Sequence, residues 1–521
     1  MSHQNNDLSV PLSPVASSSS RRRKKSQVLQ PLPPLRIGMV GGGTVGGGVY
    51  ELIMGRLKEE RPYGPLQQSS SSSSNKHSKH SKHSKQSSNC RKRPLWITKV
   101  CVKDLSKPRS FHLDEDITTT MTTNVDSILN DPNIDMVVEV MGGTGLAKKV
   151  VEEAIKKGKM VVTANKALLA NHLDSIQGLL HQMQREQDKQ LLQQQQQQQI
   201  LMYNNPLPVA SSFGFEAAVC AGIPIIQTLQ TCYAGDVIHQ IQGICNGTTN
   251  YILEKMKTGA TLEDSLQETQ DLGYAEEDPT ADIEGLDVRV KICLLAKLAF
   301  GMTVPVQDVP CRGITLLERV DFEYAKVLGC TIKLVGTAQR LHEAREWDGP
   351  LSVYVSPLMV PKDHVLARIS SHGNAVAVTS ANMGTCSYLG PGAGRFPTAN
   401  SVVSDICRIA DGHQGPAFPL EAPPRLELDL DYIATFYIRI PFQDGLGIIK
   451  RVGELAEVCG VSIHSILQTP IMDRMSADFC VTTEECKVSQ VEELCDSINE
   501  QVDFCRAPCV YMPMMREILY Y

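Results

Sequence analysis

LRIGMVGGGTVGGGVYELI, residues 35–53, runs an apolar stretch straight into glycines and then into a helical pattern. Residues 35–40 read as a buried strand, and Gly41, Gly43 and Gly46 satisfy G-x-G-x-x-G at the strand-to-helix turn. Glycine there lets the backbone approach a pyrophosphate, and the helix start at Thr44 and Val45 faces its negative charge. The pattern alone is weak, but a strand before it and a helix after it make it the opening of a nucleotide-binding unit. Gly47 and Gly48 weaken the helix start. Close packing against a cofactor or a sheet would explain them.

Residues 95–102, LWITKVCV, read as a second strand ending at Lys103 and Asp104. An acidic residue there suits the ribose hydroxyls of NAD, whereas basic groups accommodate the extra phosphate of NADP. Asp104 is surrounded by Lys103, Lys107 and Arg109, which favours NADP with NAD tolerated; the alternative is a solvated basic turn. Residues 136–143, MVVEVMGG, read as another central strand, with Gly142 and Gly143 where the backbone would approach the nicotinamide. A helix over 145–157 leads to a strand at 160–164 and then to Asn165 and Lys166. Alternating strands and helices predict a parallel sheet, with ligands at the carboxyl ends of its strands, where Lys166 stands.

Residues 273–301, GYAEEDPTADIEGLDVRVKICLLAKLAFG, open on carboxylates in a turn and continue as a predicted helix over 282–300 that stops at Gly301. Apolar residues fill several faces of this helix, so it is expected to be wrapped in other structure. Asp287 and Lys291 lie four apart on one face. A surface pair at that spacing contributes about 0.3–0.5 kcal/mol and nothing more. In a wrapped helix, however, a desolvated lysine steadied by a carboxylate can exchange a proton. Residues 238–252, IHQIQGICNGTTNYI, place a strand before Asn246, Gly247 and Thr248, a cradle for a carboxylate or oxyanion, or else an ordinary capped turn.

The 273–301 block resembles the active-site signature of homoserine dehydrogenases, which reduce aspartate 4-semialdehyde to homoserine with NADPH or NADH. By that resemblance Glu276 would grip the substrate's amino group, Asp282 would line the same pocket, Asp287 would position the reacting end and Lys291 would transfer the proton. TANKALLA, residues 163–170, carries the family's second active-site lysine as Lys166, and KDLSKPR, residues 103–109, is similar to its cofactor-binding segment. The NGTTNYI run assigns Asn246 and Thr248 to substrate or nicotinamide. Residues 213–226, FGFEAAVCAGIPII, are similar to a run that binds a monovalent cation such as Na+ or K+, which would assign Glu216, Val219, Ala221 and Ile223; otherwise Glu216 simply starts a helix. The glycine-rich stretch 390–405 resembles a late loop that returns to the cofactor, with Gly392 and Thr398 near the nucleotide.

The rest of the composition narrows the class. The chain has 521 residues, a net charge of −6 and 42% hydrophobic residues, enough for two to four domains and no reason to expect nucleic acid. Its 16 cysteines show no zinc-site spacing, and reduced, cytoplasmic surroundings fit best. No apolar run approaches the ~20 residues of a membrane span. The Ser-, Pro- and Arg-rich residues 1–34 read as a disordered tail, with a nuclear or organelle address, such as the plastid, as the alternative. His77, His80 and His83 recur in a Ser/His-rich insertion at 67–93, read as a disordered loop rather than a loose metal site; a Gln-rich insertion covers 182–199.

Beyond a Pro-rich linker at 415–430, residues 431–515 follow the order βαββαβ, with a last strand near 505–511. This resembles an ACT domain, which binds amino acids, and Asp444, Gly445 and Gly447 occupy its ligand turn. Threonine is the effector the resemblance implies; bare dimerisation is the alternative. The expected architecture is α/β: a Rossmann-type nucleotide-binding domain over 35–212, completed by 386–414, an α+β substrate and dimerisation domain over 213–385, and the ferredoxin-like ACT domain. With no kinase-like segment ahead of it, a monofunctional homoserine dehydrogenase is expected, acting as a homodimer or higher homo-oligomer on a small-molecule substrate. Its rivals are a semialdehyde dehydrogenase using a reactive cysteine such as Cys220 or Cys245, and an amino-acid-sensing nucleotide binder without turnover.

Overall fold

The computed structural model describes residues 33–60, 93–113, 119–197, 213–341, 349–412, 426–468, 473–474 and 477–515. The expectations for the tail to residue 32, for the Ser/His-rich insertion with its three histidines, for 209–212 and for linker residues 415–425 lie outside them.

The first sheet is built from β1 (Leu35–Val40), β2 (Leu95–Cys101), β3 (Thr120–Thr122), β4 (Met136–Glu139), β5 (Met160–Thr163) and β6 (Phe213–Gly214). All pairings are parallel, in the order β3-β2-β1-β4-β5-β6. This is the doubly wound arrangement whose ligand crevice opens at the carboxyl ends of β1 and β4, where the order reverses. Helices α1 (Thr44–Glu60), α2 (Asp126–Leu129), α3 (Gly145–Lys156) and α4 (Lys166–Gln197) connect these strands. The Gln-rich insertion continues α4 as far as Gln197.

The second sheet begins after α5 (Ile225–Thr231) with β7 (Ile238–Ile244). It continues past α6 (Gly247–Lys257), α7 (Leu262–Asp271), α8 (Thr280–Ile283), α9 (Leu286–Phe300) and α10 (Arg319–Val327) into β8 (Cys330–Arg340), β9 (Leu351–Pro361), β10 (Gly373–Ser380) and β11 (Gly384–Pro391). The helix expected over 282–300 is therefore two helices. Gly285, at φ 76°, breaks it, because that left-handed conformation cannot propagate a right-handed turn. α9 lies across β7, β8 and β9 and is buried on nearly every side.

Residues 386–391, assigned on the sequence to the nucleotide-binding unit, pair instead in β11 with β10. The return comes with α11 (Arg395–Ala410), which packs along α1. This explains Gly48: a Cβ there would stand 2.9 Å from Ala399 Cβ and 3.0 Å from the Arg395 carbonyl oxygen. The neighbour that requires glycine is a helix, and neither the cofactor nor the sheet.

The C-terminal unit comprises β12 (Ile433–Phe442), α12 (Ile448–Val458), β13 (Ile463–Gln468), β14 (Ala477–Thr483), β15 (Cys486–Lys487), α13 (Val488–Asn499) and β16 (Val510–Met514). The last strand lies five residues later than expected, starting at Val510 rather than near 505, because 501–505 turn back on α13. Its strand order, β16-β12-β14-β13, is antiparallel, over a core of Phe436, Ile438, Val452, Phe479, Val491 and Leu494. The unit is also joined edge to edge to the second sheet: Met514 pairs with Met359 of β9, and Met515 N donates to the Met359 carbonyl at 2.8 Å. The outer edge of β9 is met at two further points, by Leu428 at Leu351 and by Cys311 at Val355.

Candidate active site

Asp287 is one of the first residues of α9, where its charge also suits the helix N-terminus, and Lys291 follows one turn later. Lys291 Nζ donates to Asp287 Oδ2 at 2.7 Å and to the Cys245 carbonyl, at the end of β7, at 2.6 Å. Lys166, the first residue of α4 at the carboxyl end of β5, donates to the other oxygen, Asp287 Oδ1. Asn246 caps α6, its Oδ1 accepting from Thr249 N at 2.9 Å. Its Nδ2 donates to Asp282 Oδ1 at 2.6 Å and to Asp287 Oδ2 at 2.9 Å. Three separate stretches of chain thus converge on one buried carboxylate.

The electrostatics follow from that convergence. Burial pushes the Asp287 carboxyl up, but the two lysine ammonium groups outweigh it and hold it well below the usual carboxylate range. Burial likewise lowers Lys291, and Asp287 more than reverses this, leaving it above an ordinary lysine. Asp282 moves the other way: burial raises its carboxyl, with the Asn246 hydrogen bond opposing. The cluster therefore sets two lysines against the firmly ionised Asp287 carboxylate, with the Asp282 carboxyl joined to it through Asn246.

The crevice at the ends of β1 and β4 has room on the sides where a dinucleotide would lie. A Cβ at Gly41 would stand 2.5 Å from the Val140 carbonyl oxygen, and one at Gly46 2.2 Å from the Gly41 carbonyl oxygen, so these two close the turn on itself. At Gly43, Gly142 and Gly143 a Cβ would meet nothing within 4 Å. With Thr44 opening a long helix beside Gly43, these residues fit a phosphate-bearing cofactor. Asn165 Nδ2 donates to the Gly143 carbonyl at 2.6 Å, tying this loop to the residue next to Lys166.

Other expected residues are less engaged. Lys103 and Lys107 are exposed, and Asp104 accepts from Ser106 of its own turn. It is Arg109 that reaches the glycine loop, donating to the Gly42 carbonyl at 3.2 Å. Thr248 Oγ1 donates to the Tyr274 carbonyl at 2.8 Å, and Glu276 is exposed, outside the Asp287 cluster. Gly392 packs on Asn374, whose Cγ would lie 2.0 Å from a Cβ, and Thr398 is half-buried in α11. Asn165 and the Cys245 carbonyl were not singled out on the sequence; a position beside Lys166 was the available signal for the first, and for a backbone oxygen there was none.

Glu216 is buried, its two carboxylate oxygens accepting from Ile226 N at 2.9 Å and Gln227 N at 2.8 Å at the start of α5. Burial, and then the Asp405 carboxylate, push it up to about 7. The Ala221 carbonyl accepts from Ser401 and the Ile223 carbonyl from Ile225 N, in a loop bent by positive φ at Cys220 and Ala221, while Val219 is buried beside it. In the C-terminal unit, Gly447 caps α12 at φ 82°, Gly445 is exposed, and Asp444 N donates to the Arg474 carbonyl. The Cys220 and Cys245 thiols are both fully buried; their mutual hydrogen bond pushes Cys245 well up and lowers Cys220, but burial shuts both sulfurs off from a substrate carbon. That placement does not suit a cysteine nucleophile.

A family model described as "Homoserine dehydrogenase" matches residues 224–407, and one described as "Homoserine dehydrogenase, NAD binding domain" matches residues 41–193. The homoserine dehydrogenase of Bacillus subtilis is 33% identical over 477 residues, covering 89% of this chain and 95% of its own. The chain belongs to the homoserine dehydrogenase family. The homoserine dehydrogenase of Neisseria gonorrhoeae, 31% identical, covers 93% of this chain and 99% of its own length. A crystal structure of a homoserine dehydrogenase from Thiobacillus denitrificans superposes with a TM-score of 0.72 at 27% identity, covering 93% of this chain and 98% of that one. Homoserine dehydrogenases are NAD(P)-dependent oxidoreductases acting on a CH–OH group. Among the described residues no helix is long and apolar enough to cross a membrane.

Proposed function

We propose that Lys291, Asp287 and Lys166 are the catalytic groups for interconverting L-aspartate 4-semialdehyde and L-homoserine, a step that serves threonine, methionine and isoleucine biosynthesis. The observation that carries this reading is the single Asp287 carboxylate shared by lysines from the two halves of the cleft. The nicotinamide cofactor, when bound, supplies or accepts the hydride. Lys291 carries the proton for the alkoxide that develops as the aldehyde is reduced, and takes it back in the opposite direction. Asp287 keeps both lysines oriented, and their ammonium groups, placed beside the reacting end, favour the developing oxyanion. Asn246 fixes Asp287 and Asp282 together, so Asp282 lines the substrate side, with Thr248 on the neighbouring turn. Glu276 is the ammonium-binding group by the family pattern.

Arg109, with Lys103 and Lys107, supports a preference for NADP over NAD. Glu216 with the carbonyls of Val219, Ala221 and Ile223 is proposed to hold a monovalent cation, since a positive charge would favour the ionised form of a buried carboxyl that its surroundings push up to about 7. The strand order of the C-terminal unit supports the ACT reading, with threonine taken at Asp444, Gly445 and Gly447 and a homodimer as the working form. A cytoplasmic site accords with the absence of a membrane-spanning helix among the described residues.

The test is oxidation of homoserine by the purified chain, followed at the nicotinamide absorbance with NADP and with NAD, each with and without threonine. Turnover is expected with both cofactors and higher kcat/KM with NADP, and threonine is expected to slow it. Folded protein that binds a cofactor but turns nothing over would instead be an amino-acid-sensing nucleotide binder.

A further inference from the structure

Between α9 and α10, residues 310–314 form a strap that touches both the C-terminal unit and the break between α8 and α9. On one side it is laced to β9: Arg312 N donates to the Val355 carbonyl, and Val355 N to the Pro310 carbonyl, both at 2.9 Å. On the other side it grips the break. Ile314 N donates to the Ile283 carbonyl at 2.8 Å, and Cys311 Sγ lies 3.2 Å from the Glu284 carbonyl. A Cβ at Gly313 would fall 2.2 Å from the Ile283 oxygen, so strap and break have no slack between them.

The break sets the spacing of the two carboxylates that Asn246 joins. Asp282 lies on α8, Asp287 on α9, and Gly285 between them holds a left-handed turn at φ 76°. A shift of the strap therefore moves Asp282 against Asp287.

Arg312 projects from this strap onto the C-terminal unit. Its Nη2 lies 2.9 Å from Glu492 Oε1 on α13, and its guanidinium sits 3.6 Å from the centre of the Tyr511 ring on β16. Tyr511 Oη donates to the same Glu492 oxygen at 2.5 Å, closing a triangle. A guanidinium held over a ring and paired to a carboxylate is fixed in direction as well as place.

We propose that Arg312 is a positioning residue: through the 310–314 strap it makes the placement of Asp282, and so the fit of substrate, depend on how the C-terminal unit is seated. This rests on the reading of Asp282 as a substrate-side group and adds a mechanical route to it. Glu492 and Tyr511 act on the site only by way of Arg312, because neither belongs to the segments that carry Asp282 or Asp287.

The test compares Arg312→Ala, Glu492→Gln and their combination in the full chain, with Asp282→Asn alongside. Substrate KM is expected to rise about three- to tenfold in each single variant and no further in the double, with the cofactor KM and melting midpoint near wild type. Arg312→Lys, which keeps charge but loses the planar stacking, is expected to recover only part of the shift. Asp282→Asn raising substrate KM while folded Arg312→Ala and Glu492→Gln leave it unchanged would overturn the proposal, as would additive effects in the double variant. Unchanged KM in Asp282→Asn would instead overturn the substrate-side reading beneath it.

Discussion

Lys291 Nζ stands 2.7 Å from Asp287 Oδ2, one turn along a helix whose remaining faces are buried against the second sheet and α4. Lys291 is buried, and its second hydrogen bond goes to a backbone carbonyl, which cannot take its charge away. Removing the ammonium takes away the proton carrier without touching the glycine crevice. Lys291→Ala is expected to lower kcat by at least ~100-fold with little change in cofactor affinity, checked by steady-state kinetics and cofactor titration. Cofactor binding lost together with turnover would contradict the assignment.

The same pair dictates a pH profile. Lys291 is held above the ordinary lysine value of about 10.4, so it stays an ammonium through the neutral range. Homoserine oxidation needs the deprotonated form, and its kcat/KM is expected to climb up to about tenfold per pH unit with no plateau below about pH 10. A plateau by pH 8 would exclude Lys291 as the base. For stability the sign is set by direction. Asp287 is lowered, so its contribution is present above about pH 4 and lost as pH falls through its depressed folded value. Lys291 is raised, so its contribution is present below about pH 10 and lost above that. Asp287→Asn should flatten the acid limb of an unfolding-against-pH curve.

Gly48 tests the seam between α1 and α11. A valine there would press on Ala399 and on the Arg395 backbone, neither of which can swing aside. Gly48→Val is expected to destabilise the chain by about 1–3 kcal/mol in denaturant unfolding and to raise the cofactor KM. An unchanged unfolding midpoint would mean that the helices separate freely.

Glu216 gives a cation test. Its folded value near 7 lies above that of an unfolded glutamate, so stability is expected to fall as pH rises from about 5 to 8 in choline buffer. Asp405, also raised by burial, shares this site with Arg408, so part of the slope is theirs. Potassium should restore the melting midpoint at pH 8 in wild type but not in Glu216→Gln. Equal response in both would place the cation elsewhere.

The parts of this chain that could be read from its residues are those whose physics is local. The 35–40 strand and its glycine turn declare themselves because a doubly buried strand must be continuously apolar and a phosphate turn must be bare backbone. Asp287 and Lys291 stood out by their spacing only because the helix carrying them reads as wrapped, and Lys166, whose place at a strand end also suits a solvent-exposed lysine, only by the family resemblance. What stayed hidden depended on partners distant in sequence. Gly48 needs Ala399, some 350 residues away, and Asn246 takes its double role only when α8 and α9 are brought over the end of β7. The break at Gly285 was masked because glutamate, glycine and leucine fit a helical pattern unless the left-handed turn is known.

The outer edge of β9 has a bearing on how the chain is made. That edge is met by Leu428, Cys311 and Met514, one contact from each of three segments. Two of these leave the ribosome after β9 itself, and Met514 is among the last of the described residues to emerge. Until then, with β8 pairing only its inner edge, the strand's outward-facing backbone donors and acceptors are largely unmatched, and open edges of that kind are where nascent chains stick to one another. The C-terminal unit is thus the shutter on that edge, and translation that stalls within it leaves the edge open to other chains.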